Sequence, residues 1–464
     1  MMLTVVDCRY REVYRRDRYF TMKVIILNLL LVLLVQADDE VCQDANGAFR
    51  YCVKDKILTR VTKDGPALSW FQNLRHVWLK FNDDIEIAPN AFSQVDLTSL
   101  WLTFPDVNDD RSSSKVLTLH PDSLAHLPNL KQLRINNVNV KYEGNPFVHI
   151  PLVEELEWNY GNLTDIPKQL ISSFPNLEKL DLEENRIERL PANIFEGNGL
   201  LKNIKLRSNR IRKLESGWST GLDLLVRLDL ADNSIAPENG IFNGISRISE
   251  LEISEAFGIS GFQQHLIQNL SDLTYLGIGF NSIRSLEPGM FNGNPNLREI
   301  SLYGNQIRHI PTGVFENFRS LEEIQLADNI IETIAPGAFS GLNMSYLGLT
   351  INRVKTIESR TFSGLQVRRF GFRKNQISDL KPYAFDGLTA GMFDVTYNKI
   401  PMIGADDFAG LTTEDLDLSG NPIKTIADKA FRNTKLKRLG LYNTPVGTVD
   451  KFKLGLQESV EIMK

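Results

Sequence analysis

Apolar and polar positions fall in a fixed order that returns along most of the chain. From Leu177 the apolar positions are Leu177, Leu180, Leu182, Ile187, Leu190 and Phe195, with Asn185 set among them. The same order begins again at Leu201 with Ile204, Leu206, Asn209 and Ile211, a period of 24 residues. First positions then recur at 225, 248, 273, 297, 321, 344, 367, 390, 413 and 436, and weaker copies start at 74, 97, 130 and 153, about sixteen turns in all. Alternation in LxLxx predicts a short strand with Leu180 and Leu182 inward and Asp181 outward. Strands repeated at this spacing are expected to stack in parallel.

The word LxxLxLxxNxI, with Phe eighteen residues after the first Leu, resembles the typical extracellular subfamily of the leucine-rich repeat family, whose turns are 23 to 24 residues long. The resemblance covers Leu74 to the C-terminal end. It implies an α/β-type solenoid: a horseshoe with a parallel concave β-sheet and an irregular convex side. The Asn at 82, 185, 209, 233, 281, 305, 329, 352, 375, 398 and 421 is expected to turn inward and satisfy backbone groups of neighbouring turns. The Phe at 92, 195, 291, 315, 339, 362, 385, 408 and 431 is expected to stack on the convex side. Pro105, Val138, Gly161, Ala256 and Thr444 take the Asn position in irregular turns, and the 25-residue turn around Ala256 reads as a bend. Between Leu97 and Leu130 the spacing of 33 leaves a surplus in Pro105 to Lys115, read as a polar loop; Asp106, Asn108, Asp109 and Asp110 there lack EF-hand spacing.

The ends read differently. Residues 1–37 carry the secretory pattern: Lys23, an apolar run too short to span a bilayer, and a Val35-x-Ala37 site before Asp38. Met22 leaves residues 1–21 as a possible upstream extension. Residues 38–73 form the expected N-terminal cap, 74–449 the repeats and 450–464 the C-terminal cap. In the mature chain Cys42 and Cys52 are the only cysteines, so a disulfide between them is the economical pairing. No hydrophobic tail follows Asp450, which favours release over anchoring. Sequons at Asn162, Asn269 and Asn343 are read as glycosylation sites outside the strand motif.

Composition narrows the function. The net charge of −5 becomes −8 without residues 1–37, which hold six Lys/Arg and three Asp/Glu. No basic domain supports nucleic-acid binding. No CxxC pair, HExxH or GxSxG occurs, so neither a metal, a cofactor nor a catalytic residue is assigned; Asp181 with Glu157 reads as surface rather than a glycosidase dyad.

The central outward column of the sheet runs Trp78, Trp101, Arg134, Glu157, Asp181, Lys205, Asp229, Glu252, Gly277, Ser301, Gln325, Gly348, Gly371, Asp394, Asp417, Gly440. Its first turns are aromatic, with His76, Phe81 and Phe104 beside the two Trp; the middle is charged; from 277 to 371 it is small or uncharged. At a strand separation of roughly 4.8 Å the inner arc is on the order of 75 Å, a size suited to a protein ligand. The expected partner surface is Tyr275, Phe280, Tyr303 and Tyr346 beside Gly277, Gly279 and Gly348, with Trp78 and Trp101 as the rival zone. The resulting expectation is a secreted, non-catalytic protein that binds a protein through its concave face. Two alternatives stand beside it. The short Cys-poor cap and irregular first turns resemble the arthropod group typified by the non-catalytic subunit of Oplophorus luciferase (Oplophorus-luciferin 2-monooxygenase), which implies an accessory subunit of a secreted catalytic chain. A shed receptor or adhesion ectodomain, similar to chaoptin or Toll in repeat type, is the other.

Overall fold

The computed structural model describes residues 33–35, 41–45, 49–54, 56–62, 75–104, 114–258, 261–316, 318 and 320–464. Its spine is one parallel sheet of eighteen strands. Each predicted repeat contributes one strand, in most turns beginning two residues after its first apolar position, as in Lys179–Asp181 and Asn203–Lys205, and in the turns starting at 344, 367, 390 and 413 one residue before it. The register never slips: Leu180 lies opposite Ile204, Ile204 opposite Leu228, and Leu228 opposite Leu251. Period-2 alternation therefore holds across the whole sheet, with Leu180 and Leu182 buried and Asp181 facing the concave side.

The sheet extends beyond the predicted turns at both ends. Glu461–Met463 pairs in parallel with Arg438–Gly440, so the C-terminal segment adds a strand as well as a cover. Before it lies a short helix, Lys451–Leu454, whose first amides donate to the Asp450 carboxylate at 3.0 and 3.2 Å. Leu454, Leu456 and Val460 are buried against the last turn. At the other end Leu33–Val35, inside the segment read as a leader, pairs in parallel with Leu79–Phe81. Residues 1–32 and 36–37 lie outside the described residues.

The N-terminal cap is antiparallel. Val41–Ala45 pairs with Phe49–Lys54, which pairs with Ile57–Thr62, and this last strand continues in parallel into Ile85–Ile87, Val116–Leu119 and Asn139–Tyr142. The cap thus hands over to the repeats along a second, lateral sheet. Cys52 is buried, and the register sets Cys42 opposite it.

Between strands the chain is held by the predicted asparagines. Asn209 is typical: its amide donates to Leu182 O in the preceding turn (2.9 Å) and to Leu206 O in its own (3.1 Å), while Oδ1 accepts from Ile187 N (3.0 Å). The same pattern repeats at Asn233, Asn305, Asn329, Asn352, Asn375, Asn398 and Asn421. Asn82 departs from the expectation. It is half-buried rather than buried like the ladder asparagines. Gly161 replaces Asn where Trp158 replaces Leu: a Cβ on Gly161 would sit 2.4 Å from the buried indole nitrogen, so the larger ring excludes a larger neighbour.

The phenylalanine column is a continuous stack. Centroids from Phe291 through Phe315, Phe339, Phe362, Phe385 and Phe408 to Phe431 are 5.1–6.3 Å apart with interplanar angles of 6–23°. Phe195 instead meets Trp218 edge-on at 6.3 Å. Trp218 and Phe242, both buried, fill the column where Phe is absent from the predicted list of turns. The sequence word also missed Asn198 and Asn294, buried three residues after Phe195 and Phe291. Their amides donate to carbonyls of the preceding turn, Asn198 to Phe174 O (2.8 Å) and Asn294 to Leu270 O (2.9 Å).

Two substitutions measure these columns. Asn329→Ala leaves backbone carbonyls and an amide without partners and is expected to cost about 1–3 kcal/mol. Phe362→Ala, in the middle of the stack, is expected to cost about 3–5 kcal/mol. Equilibrium urea unfolding of each variant reads both values.

Candidate functional site

The outward column is a single line of neighbours, from Trp78 opposite Trp101 to Asp417 opposite Gly440, and it ends one step further at Met463. Three zones lie along it, and packing changes the meaning of each.

In the first, Trp78 and Trp101 meet edge to face at 6.1 Å, and the Arg134 guanidinium lies 4.2 Å from the centre of the Trp101 ring. The Trp78 indole N–H donates to Thr103 Oγ1 at 2.5 Å. Phe81 and Phe104, expected beside them, are buried instead and pack on each other at 5.5 Å. Each follows an inward Leu at a spacing of two, so strand alternation sends it to the core. His76 is exposed.

The second zone is a ladder of ion pairs between neighbouring turns. Arg134 meets Glu157 (3.2 Å), Lys179 meets Glu155, Lys205 meets Asp181 (2.9 Å), Arg207 meets Asp229 (3.2 Å) and Arg227 meets Glu250 (2.6 Å). The acidic strip is therefore largely compensated within the sheet. Glu183 is the exception: burial, then the adjacent Asp181 and Asp229 carboxylates, push its carboxyl up to about 7 against the opposing pull of Lys205 and Arg207. Burial also raises Asp229.

The third zone was expected to be a trough of glycines with accessible rings. The glycines are instead floors under neighbouring side chains. A Cβ on Gly277 would sit 2.3 Å from Glu252 Oε2, and one on Gly348 would sit 2.8 Å from the Tyr346 ring. The Tyr275 hydroxyl donates to Glu252 at 2.6 Å, and burial together with that carboxylate raises its phenol. Tyr275 and Tyr346 are thus laid down on the sheet. Phe280 and Tyr303 stay open, 46 % and 39 % exposed, in an edge-to-face pair with centroids 5.1 Å apart. The stretch is also less neutral than its central column implied, because Glu299 and Glu323 stand beside it in the same strands.

Phe280 belongs to a row that the sequence pattern did not disclose. The residue before each ladder Asn takes a left-handed conformation: Glu184, Ser208, Asp232, Phe280, Asp328, Ile351, Lys374 and Tyr397 all have φ between 52° and 57°. This geometry is unfavourable for aromatic and β-branched residues. Phe280, Ile351 and Tyr397 nevertheless occupy it and are 44–50 % exposed. Phe280 lies over Gly304 of the next turn, where a Cβ would collide with the ring, and Tyr397 lies over Gly420, where a Cβ would press against the ring at 3.0 Å. The Arg373 guanidinium lies 4.6 Å from the centre of the Tyr397 ring. With Tyr303 and Tyr442, these side chains form an exposed apolar rim along the C-terminal ends of the strands. The signal that marks Phe280, Ile351 and Tyr397 in sequence is the position immediately before the ladder Asn, and Tyr303 and Tyr442 lie one residue earlier.

The remaining candidates are scattered. Asn269 and Asn343 are exposed, whereas Asn162 is half-buried with its amide donating to Asn139 Oδ1 at 2.6 Å. Asn343 opens the strand Asn343–Gly348 rather than lying outside the strand motif. Asp106, Asn108, Asp109 and Asp110 lie outside the described residues. Among the described residues no group of His, Cys, Asp or Glu is placed to hold a metal ion, and no helix is long and apolar enough to cross a membrane.

The leucine rich repeat model matches residues 175–235, 246–307 and 295–350, and the BspA type leucine rich repeat region matches 332–447, together more than half of the chain. The chain belongs to the leucine-rich repeat family. Among solved structures it is similar to the Toll–Spatzle complex of Drosophila, at 18 % identity and a TM-score of 0.57 over 87 % of this chain and 66 % of that one. The glycosylated form of that complex gives 19 % identity and a TM-score of 0.55 over 87 % and 67 %. This leucine-rich repeat chain therefore spans about two thirds of the length of its solved neighbours, and at such identities the likeness establishes the fold alone. No curated protein sequence matches it.

Glu183 sets a pH dependence. The folded chain keeps its proton up to about pH 7, whereas the unfolded chain releases it near the ordinary value of 4.5. Between those values the folded state binds the extra proton, so this group's contribution to stability falls as pH rises through the window. Glu183→Gln is expected to raise the unfolding midpoint over that of the unsubstituted chain at pH 8 and to leave it unchanged at pH 4. Thermal unfolding of both proteins at the two pH values checks this.

Proposed function

We propose that the chain is a secreted, non-catalytic leucine-rich repeat protein that captures a protein partner through its concave face, with Phe280 and Tyr303 as anchors. The observation that carries this reading is the exposed aromatic pair, one member of which occupies a left-handed backbone position. The scaffold imposes that left-handed geometry in every regular turn but needs no ring there, since Ser208 and Asp232 fill the same place in other turns. Aromatic side chains supply large contact area at low rotamer cost, and pairs of them are frequent interface anchors. The solved neighbour in complex with Spatzle supports the reading, as a repeat protein of similar fold that engages a protein. The Trp78–Trp101 ledge is the weaker alternative because its rings are already covered by each other and by Arg134.

Other parts of the proposal follow from the sequence: a leader ending at Ala37, a Cys42–Cys52 disulfide in the cap, and glycans on exposed Asn269 and Asn343. The register opposite Cys52 supports the pairing. Thiol labelling of the secreted protein is expected to find no free cysteine; one reactive thiol counts against it.

Phe280→Ser with Tyr303→Ser is expected to weaken partner capture by about 2 kcal/mol or more, with the unfolding midpoint nearly unchanged. Tyr275→Phe, which removes only the hydrogen bond to Glu252, is expected to leave capture intact. Pull-down from native secretions with the three proteins reads the outcome, and full capture by the double variant defeats the assignment.

A further inference from the structure

The concave sheet has a first edge that the cap strands do not cover. They run into the lateral sheet, where Ile57–Thr62 pairs with Ile85–Ile87, while His76–Phe81 opens the concave sheet and pairs with Ser99–Thr103 of the next repeat. On the other side of His76–Phe81 the described residues place only Leu33–Val35, in parallel, with Leu33 opposite Leu79, Leu34 opposite Lys80 and Val35 opposite Phe81. An aliphatic stretch of this chain is thus the strand that the edge receives.

In a parallel ladder alternate residues turn their backbone groups to alternate sides. Ser99 N donates to Arg75 O at 3.1 Å, so Arg75, Val77, Leu79 and Phe81 address the next repeat. His76, Trp78 and Lys80 address the edge. Val77, Leu79 and Phe81 point inward and are buried, whereas His76 is exposed and Trp78 and Lys80 are half-buried on the concave side.

We infer that this edge is a strand acceptor: Leu33–Val35 fills it in the precursor, and once the leader is removed it takes, in parallel, an extended aliphatic segment of the protein partner. The inference rests on the leader ending at Ala37 and on a protein partner, as proposed above, and adds a second contact with its chemistry. An edge strand presents amides and carbonyls that pair with another chain; the backbone then supplies affinity, and side chains at alternate positions supply specificity. Aliphatic residues two apart suit the places opposite Leu79 and Phe81, since both belong to the core. Continued in the same register, a longer segment reaches Trp78 and His76, so the aromatic first turns lie beside its path.

The probe is a fluorescein-labelled peptide of residues 31–37 with lysines added for solubility, its binding read by fluorescence anisotropy. The chain beginning at Asp38 is expected to bind it. The chain beginning at Met22, which carries its own tethered copy, is expected to bind it at least about tenfold more weakly. Two methylated peptides separate strand pairing from apolar adhesion: the register turns the residue-35 amide towards Lys80 and the residue-34 amide away, so N-methylation at 35 is expected to abolish binding and at 34 to preserve it. Lys80→Pro removes the edge-facing amide and is expected to abolish peptide binding and to weaken capture of the native partner by about tenfold, with the unfolding midpoint nearly unchanged. Should that variant unfold, the methylated peptides make the same test on the unsubstituted chain. Equal binding to the two chains, or equal loss with both methylated peptides, overturns the inference. Full capture of the native partner by folded Lys80→Pro also overturns it and leaves the concave face standing, whereas capture by Phe280→Ser with Tyr303→Ser defeats only the anchors proposed above. A secreted chain that starts before Leu33 keeps the edge filled and overturns the inference together with the leader reading.

Discussion

A buried asparagine amide shared between two turns is the interaction on which the rest of this molecule depends. Each turn leaves its strand through a tight reversal that would strand backbone carbonyls and amides in an apolar interior, at a cost of about 1–3 kcal/mol for each unsatisfied group. Asn329 meets that demand by donating to Leu302 O and Leu326 O while accepting from Ile307 N. One side chain thereby ties three backbone groups and locks one turn's exit to its neighbour's. Parallel register, the straight outward column and the constant spacing of the concave surface all follow from that tie.

The ladder also dictates what the rim can be. To bring the Asn inward, the residue before it must turn left-handed and outward, so each regular turn displays one side chain at the C-terminal end of its strand. Glycine at Gly304 and Gly420 removes the strain there. Phe280 and Tyr397 keep it, and each is matched by a glycine in the next turn over which the ring lies. Structure and recognition are thus coupled: the ordering that satisfies the core is what presents the aromatic rim.

Charge follows the same geometry. Residues one turn apart face each other across a parallel register, so complementary charges at repeat spacing neutralise one another, as Asp181 and Lys205 do. Exposed pairs of this kind contribute little stability. Their consequence is that the acidic strip in the middle of the face is largely compensated within the sheet.

The solenoid, its parallel sheet, the ladder and the phenylalanine stack were legible from the chain alone, because each depends on contacts between residues at one constant spacing. A periodic word is its own evidence that like positions stack. Side-chain parity was equally readable, and misjudging it at Phe81 and Phe104 came from grouping them with Trp78 and Trp101 by sequence proximity. Tertiary structure decided what periodicity does not encode: which outward side chains stay available. Tyr275 and Tyr346 occupy outward positions as Tyr303 does, yet the first bends to Glu252 and the second covers Gly348, because local pairing across neighbouring turns competes with exposure. The left-handed row, the compensation of the acidic strip, the buried Asn198 and Asn294 and the closing strand Glu461–Met463 belong to the same category. Each depends on a backbone angle or a neighbour in the adjacent turn, and both become definite only once the turns are stacked.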